Sequence, residues 1–147
     1  MTTDEFWALI DRVDCEALED GDEDAALVPL LAAVAARPEE EIAAFAEHVA
    51  RALFELDSRV HEENSGQSRG SPDCFLYARC FVVASGRAHY EAVLADPTAM
   101  PRTLDEWCEA LIYVAQNAWA ARTGGEPAAW GFHASVSYES YSNKAKW

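Results

Sequence analysis

The side chains with acid–base, nucleophilic or metal-binding capacity are four histidines, four cysteines and 26 carboxylates. Metal binding needs such groups at fixed spacing, and no C-x-x-C, H-E-x-x-H or E-x-x-H pattern joins His48, His61, His89 or His133. Asp57 and His61 share a helix face at i, i+4, whereas the neighbours Glu47 and His48 point about 100° apart on a helix. Surface histidines, no metal and no cofactor are therefore expected. A nucleophile would have to come from Cys74, Cys80 or Cys108 placed beside a histidine, an arrangement that spacing alone leaves open. Cys74 and Cys80 face about 120° apart on one helix and would not pair, so Cys15, Cys74, Cys80 and Cys108 are read as reduced, mostly buried thiols. Nucleotide and hydrolase signatures are missing: there is no glycine-rich phosphate loop after a strand and no G-x-S-x-G elbow.

The positive signals are charge and aromatic residues. Residues 1–63 carry 18 acidic and 4 basic side chains, a net of −14, and residues 64–147 carry 8 and 7, a net of −1. A phosphate backbone is repelled by such a surface, which argues against nucleic acid as a partner, and a basic protein suits it. Trp130, Phe132, Tyr138, Tyr141 and Trp147 crowd the last 18 residues beside Lys144 and Lys146, the only two lysines. These aromatics either cover a core or form a binding edge.

Positioning these residues falls to helices. Thr2 and Glu5 form a capping-box pattern, and Phe6, Ile10, Val13 and Ala17 recur at helical spacing, so a first helix is expected to run to about Leu18. The acidic run Glu19–Asp24 opens a second with Leu27, Leu30, Leu31 and Val34. Pro38 and three glutamates open the third and most regular, with Ile42, Phe45, Val49, Leu53, Leu56 and Val60 on one face and alternating charges at Glu47, Arg51, Glu55, Arg59 and Glu63 on another. A glycine- and serine-rich loop follows over 63–71. Ser71-Pro72 then starts a fourth helix ending near Gly86, and a fifth segment holds Tyr90, Val93 and Leu94 before Pro97. Thr103 and Glu106 repeat the capping box ahead of a sixth helix that carries Trp107, Leu111, Val114 and Ala118 to Gly124. Beyond it Phe132, Ala134, Val136 and Tyr138 alternate with polar residues at strand period, giving either a short strand with an unidentified partner or an irregular tail over the helices. The expectation is one mainly α domain, a bundle of about six helices, with an acidic part at 1–63, a motif-bearing part at 72–123 and an aromatic tail at 127–147. The acidic start and the lack of an apolar run of about 18 residues predict a cytoplasmic chain with no membrane contact.

The run from Pro72 to Pro97 (PDCFLYARCFVVASGRAHYEAVLADP) resembles the bacterial family called domain of unknown function 4240, common in actinomycetes. Phe6-Trp7, Asp73, Phe75, Arg79, Gly86, Arg87, Tyr90, Glu91, Leu94 and Asp96-Pro97 carry the likeness, with Glu109–Ala115 further on. Ala78 and Phe81 stand where an aromatic residue and tryptophan are expected. The resemblance implies a helical bacterial domain and brings no activity with it.

Two functional expectations follow. The first is a non-catalytic binding or regulatory domain, such as an acidic inhibitor or immunity-type protein, that contacts another, basic protein. The second is a small-molecule enzyme or ligand-binding protein with a pocket between the fourth and sixth predicted helices, using Asp73, Arg79, Tyr113 and Trp119. Arg87 is a further candidate anion clamp with Arg79. Trp130, Tyr138 and Trp147 are candidates for a partner contact, including a homodimer formed through the tail.

Overall fold

The computed structural model describes residues 1–147 as eight α-helices joined by short 3-10 turns. The first helix, α1 (Thr3–Ile10), opens on the expected capping box: Glu5 N–H donates to Thr2 Oγ1 and Thr2 N–H to Glu5 Oε2. It stops at Ile10 and does not reach Leu18. Asp14 takes over there, accepting from the N–H groups of Glu16 and Ala17, and so starts a separate helix α2 (Cys15–Glu19). An aspartate that can bond the backbone just ahead of it competes with continued helix, and here it wins. Asp22 caps α3 (Glu23–Ala35), whose Leu27, Leu30 and Val34 are buried.

Helix α4 (Glu39–Leu56) follows Pro38, which occupies the capping position in place of the first helical one. Its apolar stripe is buried from Ile42 to Leu56, then the helix ends at Asp57, and Ser58 caps the short α5 (Arg59–Glu63). Val60, expected on the same stripe, is consequently 53% exposed. The charge ladder shortens for the same reason: Glu47 pairs with Arg51 at 2.6 Å, while Glu55 and Arg59 turn to the tail. Helix α6 (Pro72–Ala84) is capped by Ser71 as expected, and Gly86, at φ +96° and ψ 169°, turns the chain into α7 (Arg87–Ala95).

The second predicted capping box does not form. Glu106 accepts from Arg102 N–H, residues 103–106 turn and 107–108 are irregular, a 3-10 turn covers Glu109–Tyr113, and α8 (Val114–Thr123) begins later, ending on left-handed Gly124. The loop is pinned elsewhere. Gln67 N–H donates to Arg102 O and Leu104 N–H to Gln67 Oε1, and Gly66 (φ +57°) lies so close to the Arg102 backbone that any Cβ would clash.

Packing gathers these helices round one core of 32 buried residues. Helix α3 lies along α8, α4 lies against α6 and α8, and α1 closes one end with Phe6 on Phe45 and Trp7 on Tyr90. Each fully buried Leu, Ile or Phe in this set stabilises the fold by about 1.5–3 kcal/mol. No helix is long and apolar enough to cross a membrane.

The tail after Gly124 has no strand. Its period-2 pattern is nevertheless expressed as burial: Phe132, Ala134, Val136 and Tyr138 are half-buried against the helices, and His133, Ser135, Ser137 and Glu139 face outward. The alternation reflects an extended chain packed on helices, without a ladder partner.

Candidate functional site

Two adjoining cavities, of about 490 and 440 Å³, share Glu19 and Asp105 and form a cleft between the α2–α3 turn and the 103–108 loop. Five carboxylates line it, Glu19, Asp20, Glu23, Asp105 and Glu106, and no lysine or arginine does. Leu18, Phe81, Leu104 and Trp107 supply apolar wall, and Trp107 is fixed against Tyr77 with ring centroids 4.5 Å apart. Glu23 accepts from Ala110 N–H at 3.1 Å and Glu106 from Arg102 N–H at 3.2 Å, so both are held by backbone. The side-chain carboxylates of Glu19, Asp20 and Asp105 make no hydrogen bond or ion pair within the chain. Burial pushes the Glu23 carboxyl above the usual carboxylate range, with Asp24 and Glu109 adding repulsion and the Ala110 N–H acting against them. His89 also lines the cleft, and its Nε2 is shielded from water with no partner. Such a site suits a cation: carboxylates supply charge, and an aromatic face attracts a guanidinium or ammonium group.

A second concavity of about 440 Å³ runs between α4, α8 and the extended run 130–139. Phe45, Val49, Leu111 and Ala115 come from the helical side, and Trp130, Phe132, Val136 and Tyr138 from the tail. The tail is held across it at Ser135, whose N–H and hydroxyl donate to Glu47, with Arg51 donating to the same hydroxyl.

At the C-terminal end of α4 lies a pair of fully buried charges. Asp57 accepts from the N–H groups of Tyr141, Ser142 and Asn143 at 2.8–2.9 Å, from Ser142 Oγ at 3.3 Å and from Trp147 Nε1 at 3.1 Å. Arg79 donates to Leu53 O and Ser140 Oγ and sits 4.7 Å over the Phe75 ring. Burial pulls the Arg79 pKa down from its ordinary value, and the nearby charge of Asp57 opposes that pull. Neither role was visible in sequence, where Asp57 stood out only as sharing a helix face with His61.

The candidate residues read from sequence are dispersed. Asp73 is exposed in the first turn of α6, and Arg79 is interior. Arg87 is at the surface, bound to Asp4 and Glu91. Tyr113 is exposed with its hydroxyl 3.5 Å from Glu109, and Trp119 donates to Glu39. Trp130 and Tyr138 do meet, on the apolar groove, and Trp147 meets the Arg79 region through Asp57 and Phe75. Of the four cysteines, all free, Cys80 and Cys108 are buried, and burial raises both thiols, Cys108 to about 12. Cys74 is half-buried, and Cys15 is exposed at the mouth of the acidic cleft.

No curated protein and no solved structure gives a significant match to this sequence. The family model described as protein of unknown function DUF4240 matches residues 1–121, which takes in α1–α7 and all but the last two residues of α8 and leaves the tail outside. The chain belongs to the DUF4240 family.

Proposed function

We propose that this domain is a non-catalytic binding or regulatory module whose acidic half docks a basic segment of another protein, in the manner of an acidic inhibitor. The observation that carries the reading is the cleft at Glu19, Asp20, Glu23, Asp105 and Glu106, lined by acids and aromatic or apolar wall without a lysine or arginine. Three of its five carboxylates belong to an acidic half whose charge is mostly uncompensated: of the 18 carboxylates in 1–63, only Asp4, Glu41, Glu47, Glu55 and Glu62 form ion pairs. Uncompensated charge of one sign raises the association rate of an oppositely charged partner and falls off with salt. The test is calorimetric titration with an arginine-rich peptide. Saturable binding that weakens at least about tenfold between 50 and 300 mM salt is expected, and no binding at low salt would remove the reading.

A second reading, a carrier of small apolar ligands, is supported by the groove under the tail, whose size and aliphatic–aromatic wall suit a molecule of that kind. Val49→Trp would fill it. Uptake of an apolar fluorescent probe that this variant abolishes is the expected result, and equal uptake by both proteins would dismiss the carrier.

A further inference from the structure

The C-terminal end of α4 is built as a set of acceptors. Beyond Leu56 the helix runs short of donors: Phe54 O keeps the capping N–H of Asp57, and the carbonyls of Leu53 and Glu55 are left to find partners outside it. Arg79 Nη1 takes Leu53 O at 2.8 Å, Asn143 Nδ2 takes Phe54 O at 2.9 Å and Lys146 Nζ takes Glu55 O at 2.7 Å. Next to them the Asp57 carboxylate collects the three successive N–H groups of residues 141–143, a hydroxyl and an indole N–H. Every donor from outside the helix except Arg79 therefore comes from 141–147. Those residues lie beyond the part of the chain shared with the family, whereas every acceptor lies inside it.

A short segment that wraps its own consecutive N–H groups round a buried carboxylate, adds a lysine to a helix C-terminus and seats an indole on Phe75 uses the contacts by which a protein holds a bound peptide. The fit is also incomplete. Arg79 is wholly buried, and its Nε has no partner with the tail in place. A buried donor left open costs free energy that a ligand with one more carbonyl or carboxylate oxygen would recover. The connection back to α8, residues 121–131, is mainly exposed and contains Gly124, Gly125 and Gly131, so residues 140–147 can leave the end of α4 without unwinding a helix, Trp147 being the residue of that stretch that packs against the core.

We propose that the end of α4 is a peptide-binding site, selective for a turn with consecutive free N–H groups followed by lysine and tryptophan, and that residues 140–147 fill it as a resident ligand in competition with a segment of that chemistry on a partner protein. This site is separate from the acidic cleft, and its test uses a different probe. Fluorescence anisotropy of a labelled peptide of residues 138–147 is measured against the full chain and against the full chain carrying Trp147→Ala, which weakens the resident segment by one charged hydrogen bond. Saturable binding is expected, about tenfold tighter to W147A than to the unaltered chain. A peptide with Asn143→Pro, which suits the backbone angle of φ −79° but lacks the N–H given to Asp57, is expected to lose that binding. Absence of binding to both proteins, or equal binding of the two peptides, would overturn the proposal and make the tail a fixed part of the fold.

Discussion

A buried carboxylate with five donors, as at Asp57, costs little while the donors stay and much when either side is removed. Asp57→Ala leaves those donors open and Arg79 without its nearest counter-charge, so a loss of about 3–5 kcal/mol in urea unfolding is expected, and a loss under about 1 kcal/mol would mean that water replaces the carboxylate freely. His61 makes a pH-dependent contribution of the opposite chemical kind. Its ring is buried between Ser58 and the Val93 carbonyl, and burial holds its pKa below the ordinary 6.5. The folded state therefore favours neutral imidazole. The associated stability is present above pH 6.5 and is lost as pH falls through the lower folded value. The difference in unfolding free energy between the unaltered chain and His61→Gln should shrink from pH 7.5 to pH 5, and a constant difference would contradict it. Neither residue announced itself in sequence. Asp57 and His61 were legible as neighbours at i, i+4, but the helix between them breaks, and the Val93 carbonyl on His61 and the donors on Asp57 come from over 30 positions away.

At the scale of elements, what could be read was governed by how local the deciding interaction is. Apolar spacing located α3, α4, α6 and α7, and the Ser71-Pro72 start and the Thr2–Glu5 box formed as written, because their partners lie within four residues. The breaks at Asp11–Asp14 and Asp57–Ser58 were missed, since periodicity continues through both and only a competing side-chain cap interrupts it. Asp14→Ala removes that cap and should cost about 0.5–2 kcal/mol. A gain in helical circular dichroism with no loss of stability would show instead that α1 and α2 fuse readily. The false capping box at Thr103 failed for a non-local reason: Gly66 and Gln67 hold the 102–104 backbone in a turn. Gly66→Ala strains a positive φ and clashes with Arg102, so it should destabilise the protein and loosen the loop that carries Asp105 and Trp107, visible as a change in tryptophan emission.

Across the whole molecule, charge and aromatic residues divide the chain as the sequence suggested, but the division is folded into one body. The acidic half contributes α1–α5, and the near-neutral half returns to it twice, through the 103–108 loop that completes the acidic cleft and through the tail that closes the end of α4. The net charge was legible from composition. The cleft was not, since Asp105 and Glu106 lie more than 80 residues from Glu19 and only tertiary packing joins them. Because Glu23 is protonated more readily than an ordinary carboxyl, binding of a cation there should weaken as pH falls through the carboxylate range, Glu23 being among the first groups to lose its charge. The most direct measurement places the same charge change at two locations. Affinity for an arginine-rich peptide is compared between Glu19→Gln/Asp20→Asn/Asp105→Asn, in the cleft, and Glu40→Gln/Glu63→Gln/Glu126→Gln, at exposed carboxylates elsewhere with no ion pair. Docking in the cleft requires the first triple to weaken binding at least about tenfold more than the second; equal losses in the two would show that only the net charge attracts the peptide and that the cleft is not a site.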